Sequence, residues 1–488
     1  MRFSLHRIAD LQVAFGEESL IVFFPETSRL VQINGFHHSP EDLKTDPAGI
    51  LELYGRLAEL QKSLYAQIVQ AYWNTPKAHV SALNLNLTDR CNLACVYCYA
   101  RGGNYQRLQQ EFSPDGAVKA VSSAFAQADP EQDFRIEFFG GEPFLNTPAI
   151  EAVLRLQQKS RAWKNHPRRT HNRVSSNLTH LDEPLLGLIA ESKMILSISI
   201  DGTQDAQDDQ RPFKDGSPSY ALIMDHVRTV RERCPENTII ARMTVYRHDE
   251  HLTDMLRELA STGIFDYASI YPAAIHTDEK KDIGNSYFSR AFHEQFLRIA
   301  DEYSNLLKLG RFKGVLELNR YCQLLLTGKL ALNHCRAGSG YFTASPDGSV
   351  HPCHRLVADT SWDLKTMAFG PNEIEKLAPW QTQVADRPGC SSCPYRYLCA
   401  GGCKQESLLA TGSLLGVSPK ACAFSNLLFE SAIQVAGNLS AEILPRLREA
   451  FRDSERLFVF CGQPLASNHR ETPVPGTIRW RDQSLSLV

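Results

Sequence analysis

No window of the chain offers eighteen consecutive apolar residues, so nothing in it reads as a membrane-spanning helix. The first twenty residues carry Asp10, Glu17 and Glu18, which interrupt any signal-peptide core. Charge of one sign is missing too. With a net charge of -3 and 22% charged residues, no basic field recruits nucleic acid and no acidic tail is apparent. The expectation is a soluble, cytoplasmic protein with no nucleic-acid or membrane partner. At 488 residues it has length for about three domains and large cores, so it needs no covalent staples.

Cysteine is what the chain has in quantity. There are thirteen, an odd number, and most fall into two clusters. Without an export signal, such clusters read as metal ligands before disulfides. The first is Cys91-Asn92-Leu93-Ala94-Cys95-Val96-Tyr97-Cys98, directly after the alternating run Ala82 to Leu87. Three closely spaced thiolates suit three corners of a [4Fe-4S] cube, and no fourth cysteine is near enough to close the last one. A zinc site or a set of buried thiols is the alternative, but zinc takes four closed ligands and none follows Cys98 at a ligand-like spacing.

The second cluster is Cys335, Gly348-x4-Cys353, Cys390-x2-Cys393-x5-Cys399-x3-Cys403 and Cys422. C-x2-C pairs chelate neighbouring positions of one centre while remote cysteines complete the cage. A single zinc ribbon would use four of the seven. Ser345-Pro346-Asp347-Gly348 reads as a hairpin returning Cys353 toward Cys335. Cys234 and Cys461 have no such partners and read as structural, and Cys322, taken alone, reads as a buried thiol.

From His79 to about Pro272, strand and helix patterns alternate. Strands are expected at Ala82-Leu87, Asp133-Phe139, Thr170-Ser175, Ile195-Ile200, Thr238-Val245 and Tyr267-Pro272, which argues a parallel βα architecture. Ser113-Pro114-Asp115 and Asn146-Thr147-Pro148 mark two helix starts. The distinctive residues fall just past strand ends, where βα barrels build their active sites. The cysteines follow the first strand and Gly140-Gly141-Glu142-Pro143 the second. Ser176-Asn177 follow the third, and Ser199 and Asp201-Gly202 end the fourth.

Leu85-Asn86-Leu87-Thr88-Asp89-Arg90-Cys91 and Phe138-Phe139-Gly140-Gly141-Glu142-Pro143 resemble the radical S-adenosylmethionine (SAM) enzymes, with Tyr97 in the aromatic slot of C-x3-C-x-aromatic-C. The resemblance implies that SAM chelates the open iron through its amino and carboxylate groups and is cleaved to a deoxyadenosyl radical. It further implies SAM contacts from Tyr97, Gly140, Gly141, Glu142, Pro143, Ser176, Asn177, Ser199 and Asp201. Arg211, in Asp208-Asp209-Gln210-Arg211, is a candidate for the SAM carboxylate, a solvated surface arginine being the alternative. Arg242, Met243 and Val245 lie on the fifth strand, where the family often places adenine and SAM contacts.

The order of the second cluster, with twelve residues between Cys335 and Gly348, resembles the SPASM extension of these enzymes. That implies two auxiliary [4Fe-4S] clusters, three in all. Cys335, Cys353 and Cys403 are carried over to the first auxiliary cluster, and Cys390, Cys393, Cys399 and Cys422 to the second. Seven ligands serve eight corners. Either Cys322 supplies the eighth, which its C-x12-C spacing from Cys335 favours, or the first auxiliary cluster has an open site.

Before the barrel, Leu20-Ile21-Val22-Phe23-Phe24 and Arg29-Leu30-Val31-Gln32-Ile33 read as strands, followed by leucines at helical spacing from Pro40 to Gln70. This small unit resembles leader-peptide recognition modules; a lid or dimerisation segment is the alternative. The fold expected is α/β: a partial (β/α)6 TIM-like barrel over 79–275, an N-terminal β-rich and helical region over 1–78, a helical bridge over 276–330, a SPASM domain over 331–425 and a tail over 426–488. The resemblance implies an enzyme that forms thioether or carbon-carbon crosslinks in a ribosomally made peptide or small protein subunit. Flavodoxin or ferredoxin would serve as electron donor. A sulfatase-type formylglycine maturase is the alternative. Those enzymes carry Asp directly after the G-x4-C cysteine, where this chain has His354, which is retained as a candidate catalytic residue. A non-catalytic, metal-bound peptide scaffold is the alternative from another class.

Overall fold

The computed structural model describes residues 4–8, 11–15, 19–24, 29–34, 39–59, 80–273, 289–455, 477–480 and 483–487, with short gaps at 46, 49, 56–57, 106–107, 129, 131, 166–168, 247–248, 328–329, 370 and 439–442. The strands are β1 (Ser4–Ile8), β2 (Leu11–Phe15), β3 (Ser19–Phe24), β4 (Arg29–Asn34), β5 (Ala82–Asn86), β6 (Phe134–Phe139), β7 (Thr170–Ser176), β8 (Ile195–Ser199), β9 (Ile239–Val245), β10 (Tyr267–Pro272), β11 (Tyr341–Ala344), β12 (Val350–His351), β13 (Thr477–Trp480) and β14 (Gln483–Leu487).

Strands β5 to β10 are the six expected βα strands, and all pair in parallel. Their sheet is larger than the sequence suggests. Its order is β10-β9-β8-β7-β6-β5-β11-β12, so the cysteine-rich region adds two strands to the barrel edge. Strand β11 pairs in parallel with β5, Thr343 opposite Asn84, and β12 returns antiparallel through the expected hairpin, closed by Gly348 N–H to Ser345 O at 3.0 Å.

Alternation decides what each face does. On β5, Leu83 and Leu85 are fully buried in the core shared with Ala117, Val121 and Ala124 of helix Pro114–Phe125, while Asn84 and Asn86 face the other way. That helix starts as expected: Ser113 caps it by accepting from Gly116 N–H, with Pro114 in the first turn. Helix Thr147–Lys159 also starts where expected, but Asn146 makes no side-chain cap. Its amide instead donates to Leu87 O (3.0 Å) and Phe112 O (2.9 Å), tying the end of β5 to the start of the neighbouring helix.

The N-terminal strands form a second sheet of order β1-β2-β3-β4-β14-β13, antiparallel throughout. Strands β3 and β4 match the expected runs. The tail, whose role the sequence left unread, supplies β13 and β14, with Ser486 opposite Asn34. The strand expected over Arg456 to Cys461 and most of the helix expected toward Gln70 lie outside the described residues, although 50–55 are helical with Ile50 and Leu53 buried. This sheet rests on the C-terminal helices: Phe23 packs edge-on to Phe429 (4.9 Å between centroids) and tilted against Tyr395 (6.1 Å). Helices Arg290–Lys308 and Leu316–Thr327 pack against helix Pro419–Gly437, each by a buried apolar face. Among the described residues no helix is long and apolar enough to cross a membrane.

Asn146→Ala strands two buried carbonyl contacts at the top of β5. It is expected to destabilise the protein by about 1–3 kcal/mol, read as a lowered Tm in a thermal melt.

Candidate active site

The Cys91–Cys98 loop leaves β5 and is gripped from two sides. On one side the turn after β6 lies against it: Gly141 N–H donates to Thr88 O and Glu142 N–H to Arg90 O, each at 2.8 Å. The fit excludes side chains. Gly140 sits at φ +142°, where a Cβ would come 2.5 Å from Thr88 O, and a Cβ on Gly141 would overlap the Arg90 carbonyl. On the other side the segment after helix Gln204–Gln210 pairs with the loop, through Ala94 N–H to Pro212 O (2.8 Å) and Val96 N–H to Gln210 O (3.0 Å).

Glu142 is buried at the start of the 3-10 turn Pro143–Asn146 and accepts from Phe144 N–H (3.0 Å), Ser176 Oγ (2.7 Å) and Asn177 N–H (2.7 Å). Burial raises its pKa to about 7 against the pull of those donors. The Asn177 amide reaches Asn92 Oδ1 (3.1 Å) and lies 3.8 Å from Cys91 Sγ, so the end of β7 touches the cysteine loop directly. Ser199 ends β8, half-exposed beside Arg242 in the β8–β9 register.

Arg211 is neither a solvated surface arginine nor an open fork. It is buried, and its Nε and Nη2 both donate to Asp201, at 2.9 Å each. Helix Gln204–Gln210 folds the chain back by one turn pair, which is what brings position 211 onto position 201. Asp201 also accepts from Tyr97 Oη (2.6 Å) and Thr244 N–H (2.9 Å), and the Arg211 guanidinium lies over the Tyr97 ring at 5.2 Å. Burial opposes its charge, but Asp201, Tyr97 and Cys95 hold its pKa well above the ordinary value. The pair therefore fixes Tyr97 and the Cys95 side of the loop.

In three groups the buried thiols feel the charge of their neighbours. Cys91, Cys95 and Cys98 form the first; burial raises Cys91 to about 12, with Glu142 adding to it, and Cys95 to about 11. Cys335, Cys353 and Cys403 form the second, and Cys390, Cys393, Cys399 and Cys422 the third. Cys322 joins none of them, which corrects the expectation that it closes the second. It sits on the buried face of helix Leu316–Thr327, fully buried, with its thiol directed at Ala432 O at 3.9 Å. The helix turns it into the core. Cys234 is likewise buried, against Leu186 O, and Cys461 lies outside the described residues.

The second group borders the first. Arg355 lies over the Tyr99 ring at 5.3 Å and pairs with Glu406 at 3.0 Å, while Val357 packs with Tyr105 and, more loosely, Cys98 and Tyr99. His354 fills the gap between Tyr99, Phe139 and Tyr341, its Nδ1 2.9 Å from the Tyr341 hydroxyl. Burial, then Arg355 and Arg242, push its pKa well below 6.5, so the ring stays neutral. Sequence reasoning missed Tyr99, Arg355 and Thr244 at this junction. Only Tyr99, next to Cys98, and Arg355, two residues past Cys353, carried a positional signal.

A family model of the radical SAM superfamily matches residues 85–259. Residues 85–259 are a radical SAM domain. Over 138 residues the chain is 32% identical to an uncharacterized protein of Methanocaldococcus jannaschii, covering 28% of this chain and 44% of that one. It is 22% identical over 336 residues to a cysteine-type anaerobic sulfatase-maturating enzyme of Clostridium novyi (65% of this chain, 86% of that one), and 25% identical over 394 residues to a PqqA peptide cyclase of Rhodopseudomonas palustris (75% and 93%). Among solved structures, native anSMEcpe with bound AdoMet and Cp18Cys peptide gives a TM-score of 0.61 at 20% identity, over 77% of this chain and 100% of that one. Streptococcus suis SuiB bound to precursor peptide SuiA gives 0.51 at 13% identity, over 84% and 99%. At those identities the likeness is one of fold. The chain is a radical SAM enzyme.

The radical SAM loop fits the cofactors its superfamily implies. Among the described residues no three His, Cys, Asp or Glu side chains converge on a point where one metal ion would sit. A cube presents its irons at separate corners, so spaced thiols suit it. Raised thiol pKa values mean that cluster loading must expel protons. A shallow depression of about 430 Å³ reaches Cys91 between Arg90, Asn92, Phe213, Lys214 and Asp215.

If Glu142 meets the SAM amino group, as the resemblance implies, its raised pKa sets a pH dependence for SAM binding. A carboxyl whose folded pKa is raised from 4.5 to about 7 is disfavoured as an anion, so folding loses stability as pH rises through that window, and N–H donors from a bound ligand offset the loss. SAM affinity of the cluster-loaded enzyme, measured by equilibrium dialysis, is expected to rise as pH rises through about 7. Glu142→Gln is expected to weaken it about tenfold or more and flatten the profile.

Proposed function

We propose that this radical SAM enzyme is a maturase that takes a ribosomally made peptide or small protein subunit into the mouth of the half-barrel and forms an intramolecular thioether or carbon-carbon crosslink in it. The observation that carries the reading is the shared sheet. Because β11 pairs with β5, the Cys353 segment is held against Tyr99, one residue past the Cys98 thiol, and a substrate in the lumen would lie between the first two cysteine groups. The sulfatase-maturating and PqqA-cyclase relatives, which act on proteins and peptides by their names, support a substrate of this class.

When bound, a [4Fe-4S] cluster on Cys91, Cys95 and Cys98 with SAM supplies a hydrogen-abstracting radical, and auxiliary clusters on the other two groups supply a sink for the remaining electron. The protein's part is placement. Glu142 would meet the SAM amino group, with Ser176 and Asn177 fixing its carboxylate oxygens. Gly140, Gly141 and Pro143 shape the wall, and Ser199 lies beside it. Asp201 and Arg211 hold Tyr97 rather than reaching outward. With Cys322 in the core, the group of Cys335, Cys353 and Cys403 has three thiols, which favours an open fourth position there. His354, held neutral by burial, is a poor proton acceptor. Glu317 is better suited, since burial raises its pKa to about 6, between the ordinary carboxylate range and neutrality. The depression beside Cys91, lined by Arg90, Lys214 and Asp215, is where an electron carrier such as flavodoxin or ferredoxin would approach.

Formylglycine formation is the second reading, favoured by the sulfatase-maturating relatives. Mass spectrometry separates the two after co-expression with a small peptide encoded beside the gene. Loss of two hydrogens per event with no new aldehyde is expected, and a single-residue aldehyde would transfer the assignment. Cys95→Ala is expected to abolish deoxyadenosine formation while sparing about two thirds of the iron. Cys322→Ala is expected to leave the iron content unchanged, because the thiol sits in the apolar core.

A further inference from the structure

The inward face of the barrel sheet is polar from edge to edge. In register across it run Thr343, Asn84, Glu137 and Arg173; two residues further along, Ser175 is opposite Ser197, and beyond them Ser199, Arg242 and Ser269 are in register. Most of the charged groups there are satisfied by neighbours. Glu137 accepts from Asn84 Nδ2 (3.2 Å) and Ser175 Oγ (3.0 Å), with Arg173 Nε at 3.9 Å. Glu317 accepts from Ser269 Oγ (2.8 Å) and Ile270 N–H (2.9 Å). Arg211 is committed to Asp201.

Arg242 differs. Its charge acts on Glu137, Glu317, Tyr99 and His354, which surround it from β6, from helix Leu316–Thr327 and from the two cysteine segments. Among the described residues, however, its guanidinium is in no ion pair with either carboxylate, and it stays half-buried with its face to the lumen. A guanidinium carries five donors, no acceptor and a permanent charge, and in a water-poor cavity it matches a carboxylate through two parallel bonds. Both resident carboxylates have their own donors, so they leave that fork unspent. Arg211, the guanidinium beside Cys95, is spent on Asp201, so the SAM carboxylate is the competing claim on Arg242, and the test below separates the two.

We propose that Arg242 binds a carboxylate of the substrate, the side chain of an aspartate or glutamate at or next to the residue to be modified, so that the enzyme selects an acidic position in its peptide. This rests on the reading that the lumen receives a peptide.

The test uses the reconstituted full chain with SAM bound and two probes, N-acetylaspartate amide and N-acetylasparagine amide, followed by ligand-observed NMR. The aspartyl probe is expected to bind the wild type and to lose about tenfold or more in affinity in Arg242→Gln, with part retained in Arg242→Lys, because two parallel charged bonds are replaced by none or by one. The asparaginyl probe should bind weakly throughout, and SAM affinity and substrate-free SAM cleavage should be unchanged in both variants. Equal binding of the two probes, binding of neither to the wild type, or loss of SAM affinity together with the probe would overturn the proposal, the last by giving the carboxylate to SAM. Crosslinking is scored separately by mass. Crosslinking without probe discrimination removes the role of Arg242, and probe discrimination without crosslinking removes the reaction instead.

Discussion

The architecture of the site depends on one close approach of backbone to backbone. Gly140 and Gly141 lie against Thr88, Arg90 and Cys91 with no room for a side chain, and two 2.8 Å hydrogen bonds join the turn to the loop. That contact sets where the cysteine loop leaves β5. It also delivers Glu142, the next residue, to the inner wall with its oxygens already held by Ser176 and Asn177. The glycines thus make the cofactor wall and the loop one rigid unit, and the buried Asp201–Arg211 pair does the same for the loop's far side. Breaking such a buried pair costs about 3–5 kcal/mol when one charge is left behind, which is why it serves placement better than recognition.

The second constraint is topological. A cysteine-rich extension joined only by a linker would be free to drift, but β11 extends the barrel sheet by hydrogen bonds to β5, so its position is fixed by the same strand that launches the radical SAM loop. Tyr99, His354 and Arg355 pack the seam between them. The N-terminal sheet is fixed less directly, through Phe23 against Phe429 and Tyr395, and the chain's last strands complete it.

Much of this was legible in the sequence where the signal was local. Each of the six strands falls within a residue of its expected bounds, because apolar runs between helical patterns are a local signature. What escaped was non-local. Arg211 returns to Asp201 only through an intervening helix. Cys322 is decided by which face of helix Leu316–Thr327 is buried, and its spacing from Cys335 says nothing of that. Strand β14 pairs with β4, more than four hundred residues away, where no periodicity can point, and carries β13 with it. Arg242 was legible only as a residue on the strand where the family often places adenine and SAM contacts; that Glu137 and Glu317 are each held by other donors shows only in the folded chain.

The central claim is that three thiols on this loop leave one iron for SAM to occupy. The most direct measurement is ENDOR on the reduced enzyme in which Cys335, Cys353, Cys390 and Cys399 are replaced by Ala, so that only the first group holds a cluster, with SAM labelled by 15N at its amino group. The account predicts a 15N hyperfine coupling to the cluster that unlabelled SAM does not give. A cluster signal with no such coupling, unchanged on adding SAM, would contradict it.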